Sequence, residues 1–148
     1  MNMRKTRIFL DSSVIISGLA SVKGGSHKVL ALAEVGIIAP CISAEVENEV
    51  LRNVAKKLPN AVVYFERLLK ELSFVVIEAS SEDHERAKLI INEHDAPIMA
   101  AAISGKVDWL LSLDKHFLAA KERVGLDITI STPGEFLQQL VDILKEPE

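Results

Sequence analysis

The sequence predicts an α/β fold in which a parallel sheet of about five strands is covered by helices on both faces. Three observations lead there. Short apolar runs with no helical period alternate with longer runs whose apolar residues recur at helical spacing. The short runs are nearly continuous in hydrophobicity, as strands buried on both faces are. The 148 residues, 49% hydrophobic and 26% charged, are enough to bury a sizeable core in one domain over 1–148.

Thr6 to Leu10 is the first strand, short, β-branched and aromatic. After Asp11, the run Ser12 to Leu19 reads as a short helix or a turn leading into a loop. Lys23-Gly24-Gly25-Ser26 breaks the chain, and Val29, Leu30, Leu32 and Ala33 then mark a helix ending near Gly36. Ile37 to Ser43 is the second strand, where Pro40 favours a place near an edge or a bulge. Ser43 caps a helix from Ala44 to Lys57 with Val46, Val50, Leu51 and Val54 inward. Pro59 and Asn60 end it, and Ala61 to Leu72 forms the next helix. Phe74 to Ile77 is the third strand, followed by a helix from Ser80 or Ser81 through Ile91. Asp95 caps the helix from Ala96 to about Ser104, with Pro97 in its first turn. Trp109 to Leu111 and Ile128 to Ile130 are the last two strands. Thr132-Pro133-Gly134-Glu135 is a capping box opening a final helix to about Leu144.

Several classes are excluded. No apolar run approaches the roughly 20 residues that cross a bilayer. The basic N-terminus is followed by an apolar run that Asp11, Ser12 and Ser13 interrupt, so no secretory signal is expected and a cytoplasmic location is. A single cysteine, Cys41, rules out an internal disulfide framework and an all-cysteine metal site. No glycine fingerprint follows the first strand, which disfavours a dinucleotide-binding domain. The formal net charge of −4 means that a nucleic-acid partner would need a local basic patch or a bound cation.

The informative residues are acids at element ends. Asp11 closes the first strand, Asp95 heads a helix of small residues, and Asp114 lies three residues past Leu111. Each taken alone could cap a helix or turn. In open parallel sheets, however, ligands sit beyond the carboxyl ends of the strands where strand order reverses, and all three acids can reach such an edge. Like charges gathered there repel, and a hard divalent cation, Mg²⁺ or Mn²⁺, is the natural compensation. A fourth ligand is expected from the helix Ala44 to Lys57. Glu49 lies nearer the margin of its apolar stripe than Glu45, which is held in reserve. Lys115 and His116 follow Asp114 closely enough to touch a substrate, whereas His27, His84 and His94 read as surface residues.

With these residues placed, the chain resembles the PIN-domain family over nearly its whole length, and in particular the VapC-like toxins of toxin–antitoxin pairs. The resemblance is carried by Phe9-Leu10-Asp11-Ser12-Ser13-Val14-Ile15-Ile16-Ser17, Ser43-Ala44-Glu45-Val46-Glu47-Asn48-Glu49-Val50, Asp95-Ala96-Pro97-Ile98-Met99-Ala100-Ala101-Ala102, and Asp108-Trp109-Leu110-Leu111-Ser112-Leu113-Asp114-Lys115-His116-Phe117. It implies a three-layer α/β/α sandwich, metal-dependent endoribonuclease activity on RNA, frequent homodimers and a small antitoxin protein as partner. The family's acidic quartet falls on Asp11, Glu49, Asp95 and Asp114, as metal-holding and catalytic residues. Its small polar positions near the acids fall on Ser13 and Ser112, expected to bind substrate. This chain departs from the family in carrying His116 where many members have a further acid, and Ser13 where Asn is often found. Two rivals stand beside this reading. One is a non-catalytic PIN-like module binding RNA or protein. The other is a phosphoryl-transfer hydrolase with Asp11 as nucleophile, whose usual second Asp is replaced by Ser13.

Overall fold

The computed structural model describes residues 4–123 and 128–145. Five parallel strands form one sheet in the order β3-β2-β1-β4-β5: β1 Thr6–Leu10, β2 Ile38–Ser43, β3 Val75–Ile77, β4 Trp109–Leu111 and β5 Thr129–Ser131. Helices cover both faces, as the sequence predicts for strands this uniformly apolar. They are α1 Ser12–Ala20, α2 Gly25–Glu34, α3 Ala44–Lys57, α4 Val62–Glu71, α5 Ser81–Lys88, α6 Ala96–Ser104, α7 Lys115–Ala119 and α8 Pro133–Lys145. The architecture is the three-layer α/β/α arrangement.

The order of the strands matters more than their number. From β1 the chain builds outward through β2 to β3, then returns to the other side of β1 for β4 and β5. The direction therefore reverses between β1 and β4, which pair as Ile8↔Trp109, Phe9↔Leu110 and Leu10↔Leu111. The loops leaving these two strands diverge to opposite sides and open a crevice at their carboxyl ends.

The core is one cluster built on Ile8, Phe9 and Leu10 of β1 and Leu110 and Leu111 of β4, all without exposed surface. α6 is buried nearly all round because its run of alanines lets the backbone lie close to the sheet. α3 is instead amphipathic, burying Val46, Val50 and Val54 and turning its acidic side outward. Its start is set by Ser43, whose hydroxyl accepts from the Val46 amide at 3.3 Å. The capping box at Thr132 forms as the sequence requires, with Thr132 Oγ1 accepting from the Glu135 amide at 3.1 Å and Glu135 Oε1 accepting from the Thr132 amide at 3.2 Å.

The short helix expected after Asp11 forms as α1 and leads into a loop. Three other local expectations need correction. Pro40 lies in β2, an interior strand rather than an edge one; pairing of β2 with β3 begins at Cys41↔Val75, so the proline precedes that ladder. The helix expected through Ile91 stops at Lys88, and its last turn tightens as the Ile90 and Ile91 amides both reach the Ala87 carbonyl. Its apolar pattern continues because Ile90 and Ile91 are buried in the turn that follows. β5 runs one residue later than predicted.

Removing the α3 cap tests this frame. Ser43→Ala should lower stability by about 1 kcal/mol, read as a drop of a few degrees in Tm by circular dichroism. An unchanged Tm would show that the buried hydroxyl does not hold the helix start.

Candidate metal centre

The crevice between β1 and β4 contains a cavity of about 370 Å³ lined by Asp11, Ser12, Ser13, Glu49, Asn92, His94, Asp95, Asp114, His116 and Phe117. The four acids singled out by sequence therefore meet in one place. Glu45 does not join them: it lines a different depression with Val76, Glu78 and Pro97, whereas Glu49 lines the cavity of the other acids. The geometry of α3 accounts for this, since Glu49 follows the buried Val46 by three residues and flanks the buried Val50.

Each acid is held by neighbours that the fold supplies. Asp11 occupies the residue before α1 and is 3% exposed, yet among the described residues its side chain makes no capping bond to that helix. Its Oδ2 instead accepts from Ser13 Oγ at 2.9 Å and from Ser112 Oγ at 2.8 Å. Ser112 is fully buried, and its hydroxyl also accepts from the Asp114 amide at 2.9 Å. One side chain thus ties the acid after β1 to the acid after β4. Ser13 Oγ accepts in turn from the Leu113 amide at 3.0 Å, a second tie between the same two loops. Ser12 Oγ donates to Glu49 Oε2 at 2.6 Å and joins α3 to the start of α1.

Asp95 corrects the simple capping expectation. It stands before α6, but its backbone is helical (φ −92°, ψ −9°) and its side chain makes no cap bond among the described residues. Caps sit in the extended region, where the side chain can turn back to the free amides. Asn92 holds it instead: Nδ2 donates to Asp95 Oδ2 at 2.7 Å, and Oδ1 accepts from the Asp95 amide at 3.0 Å. Its carboxylate, 7% exposed as a residue, is thereby kept at the cavity rather than on the helix end. Asp114 does cap, accepting from the His116 amide at 2.8 Å, and keeps more solvent contact than the other two.

Sequence reasoning missed Ser12 and Asn92, because a serine or asparagine beside an acid carries no signal until the fold shows what it touches. It also placed Ser13 and Ser112 at substrate. Ser112 has no exposed surface, whereas Ser13 is half-buried and lines the cavity; both hydroxyls are engaged with Asp11. Lys115 is exposed beside the cavity without lining it. His116, by contrast, places Nδ1 3.5 Å from Asp114 Oδ1 and 3.7 Å from Asp95 Oδ2. Among the described residues, Asp95, Asp114 and His116 form the group whose potential ligand atoms all lie within 4.8 Å of one another. Asp11 and Glu49 line the same cavity without belonging to that tight group.

The electrostatics follow from burial. Loss of water pushes the Asp11 carboxyl above its ordinary value of 3.8; hydrogen bonds from Ser112, Ser13 and the Ser12 backbone pull it back in part, and the charge of Glu49 adds to the rise. An oxygen-rich donor set of four carboxylates at a partly enclosed cavity fits a hard divalent cation.

A family model for the PIN domain matches residues 7–116. Among solved structures the fold is similar to that of VapBC2 from Rickettsia felis bound to a DNA fragment from their promoter, with a TM-score of 0.63 at 15% identity over 86% of this chain and 98% of that one. It is also similar to VapC20 from Mycobacterium tuberculosis, described as a sarcin-ricin loop cleaving toxin (TM-score 0.56, 18% identity, 76% of this chain and 94% of that one). A protein from Pyrobaculum aerophilum matches with a TM-score of 0.58 at 17% identity, over 92% of this chain and 90% of that one. At these identities the likeness establishes a common fold. None of the curated proteins matches in sequence.

The raised Asp11 carboxyl carries a stability consequence. A group whose folded value is raised favours folding below its unfolded value, here about 3.8, and that contribution disappears as pH climbs through the folded value. At neutral pH the charged carboxylate is therefore a cost that an amide would lack. In the presence of EDTA, Asp11→Asn should be more stable than the parent at neutral pH by roughly 0.5–2 kcal/mol, with the gap closing in acid. Melting curves across pH decide it, and a variant less stable at neutral pH would contradict the burial argument.

Proposed function

This chain belongs to the PIN domain family, and we propose that it is a metal-dependent endoribonuclease that hydrolyses RNA phosphodiester bonds as the toxin of a toxin–antitoxin pair. One observation carries the reading: Asp11, Glu49, Asp95 and Asp114, from four separate stretches of chain, line a single cavity at the strand-order reversal. Structural caps alone do not account for it, since neither Asp11 nor Asp95 caps a helix with its side chain among the described residues.

In this reading Asp11, Asp95 and Asp114 hold Mg²⁺ or Mn²⁺, directly or through water, with Glu49 assisting. Such an ion, when bound, polarises phosphoryl oxygens and lowers the pKa of a water. The chain's own residues supply the pre-arrangement. Ser13 and Ser112 orient Asp11, Asn92 orients Asp95, and Ser12 orients Glu49. Acids fixed in advance need little reorganisation when charge develops at the phosphate. Lys115, exposed at the start of α7, steadies the substrate backbone as a point charge. This local cation and the bound ion together let a chain of net charge −4 approach a polyanion.

Support for the toxin assignment comes from the fold shared with VapBC2 and VapC20. The proposed partner is accordingly a small antitoxin protein, with the toxin itself a cytoplasmic homodimer. No helix among the described residues is long and apolar enough to cross a membrane.

The test is cleavage of RNA by the purified chain with and without EDTA. Chelation should abolish cutting, and Asp11→Asn and Asp95→Asn should each reduce it at least about a hundredfold. Ser112→Ala should cost roughly ten- to a hundredfold, because it unties Asp11 from Asp114 without removing either acid. Cutting that ignores EDTA and survives both aspartate changes would remove the proposal.

A further inference from the structure

We propose that His116 is a nitrogen ligand of this centre, and that it makes the resident ion a divalent transition metal of the Mn²⁺ kind rather than Mg²⁺. The proposal rests on the nuclease reading in presuming that the acids hold an ion, and deepens it by naming which ion and which further residue.

The placement of His116 comes from the turn that opens α7. Asp114 caps that helix by accepting from the His116 amide at 2.8 Å, which draws the backbone of His116 against the acid. The imidazole then lies along the cavity wall, with Nδ1 3.5 Å from Asp114 Oδ1 and 3.7 Å from Asp95 Oδ2. Neither separation is a hydrogen bond, since N–H···O bonds run to roughly 3.2 Å. Adjacent ligands of an octahedral ion at roughly 2.1 Å stand about 3 Å apart and opposite ones about 4 Å. Both separations from Nδ1 fall within that interval, and the ligand atoms of Asp95, Asp114 and His116 lie within 4.8 Å of one another, as expected of groups that face a common point. The other histidine at the cavity, His94, lies outside the tight group; both imidazoles are exposed, so position and not burial separates them.

The donor chemistry then selects the ion. Mg²⁺ demands oxygen ligands and gives up its water reluctantly, so an imidazole among its ligands gains little. Imidazole suits the later first-row ions Fe, Ni, Cu and Zn, while carboxylates suit Mg²⁺, Ca²⁺ and Mn²⁺. Of the ions that carboxylates suit, Mn²⁺ is the one from the transition series, so several carboxylates with one imidazole favour it over Mg²⁺. A chain with an acid at position 116 would lack this bias.

The experiment is Mn²⁺ binding to the full chain, followed by pulsed electron paramagnetic resonance and by calorimetry beside Mg²⁺. The Mn²⁺ complex of the parent and of His94→Ala should show modulation from a coordinated imidazole nitrogen, and His116→Ala and His116→Gln should lose it. Both His116 variants should weaken Mn²⁺ binding about tenfold and leave Mg²⁺ binding unchanged, while His116→Asp should shift preference toward Mg²⁺. Nitrogen modulation that persists without His116, or an unchanged ratio of Mn²⁺ to Mg²⁺ affinity, would overturn the assignment while leaving the nuclease intact. Failure of either ion to bind, or Mn²⁺ binding indifferent to Asp95→Asn, would overturn the nuclease reading itself and this proposal with it.

Discussion

A carboxylate buried at the end of a strand is costly, and much of the local architecture answers the cost of placing Asp11 there. Water is excluded from it, Glu49 adds negative charge nearby, and the carboxyl is pushed toward its neutral form. Two serine hydroxyls converge on one of its oxygens and offset part of that penalty. They do not cancel it. The outcome is a side chain fixed in place in surroundings that a cation would relieve, which is the usual condition of a site where stability is given up for function.

The same hydroxyls do the mechanical work of joining the two strand ends. Ser112 links Asp11 to the Asp114 amide, and Ser13 links Asp11 to the Leu113 amide. Because β1 and β4 are hydrogen-bonded neighbours, with the Asp11 amide donating to the Leu111 carbonyl at 3.1 Å, these ties close a compact ring of polar bonds above the sheet. Glu49 is joined to the ring through Ser12, and Asp95 is held independently by Asn92. A change to one hydroxyl is therefore felt at two acids, and coupling of that kind is non-additive.

Legibility differed by the range of the forces involved. β1 and α3 could be read to the residue, since each is bounded by a strong local signal: Asp11 after an apolar run and Ser43 as a cap. The end of α5 was misread because Ile90 and Ile91 are buried whether or not the helix continues, so periodicity alone could not mark the stop. Pro40 suggested an edge because a missing amide is hard to place in a ladder, but β3 is short and begins pairing only at Cys41. Asp95 read as a cap from its position before a helix, and only its backbone angles show that it is not acting as one.

What the sequence determined by itself was the alternation of strands and helices, the apolar faces, and the identity of three acids at element ends, because these depend on interactions within a few residues along the chain. The tertiary structure decided the rest. It put the reversal of strand order between β1 and β4, seated Glu49 rather than Glu45 at the cavity of the other acids, made Ser112 the tie between Asp11 and Asp114, and set His116 against Asp95 and Asp114. Each of these depends on groups distant in sequence meeting at one sheet edge, and no local pattern encodes which side chain will face which neighbour once the strands have paired.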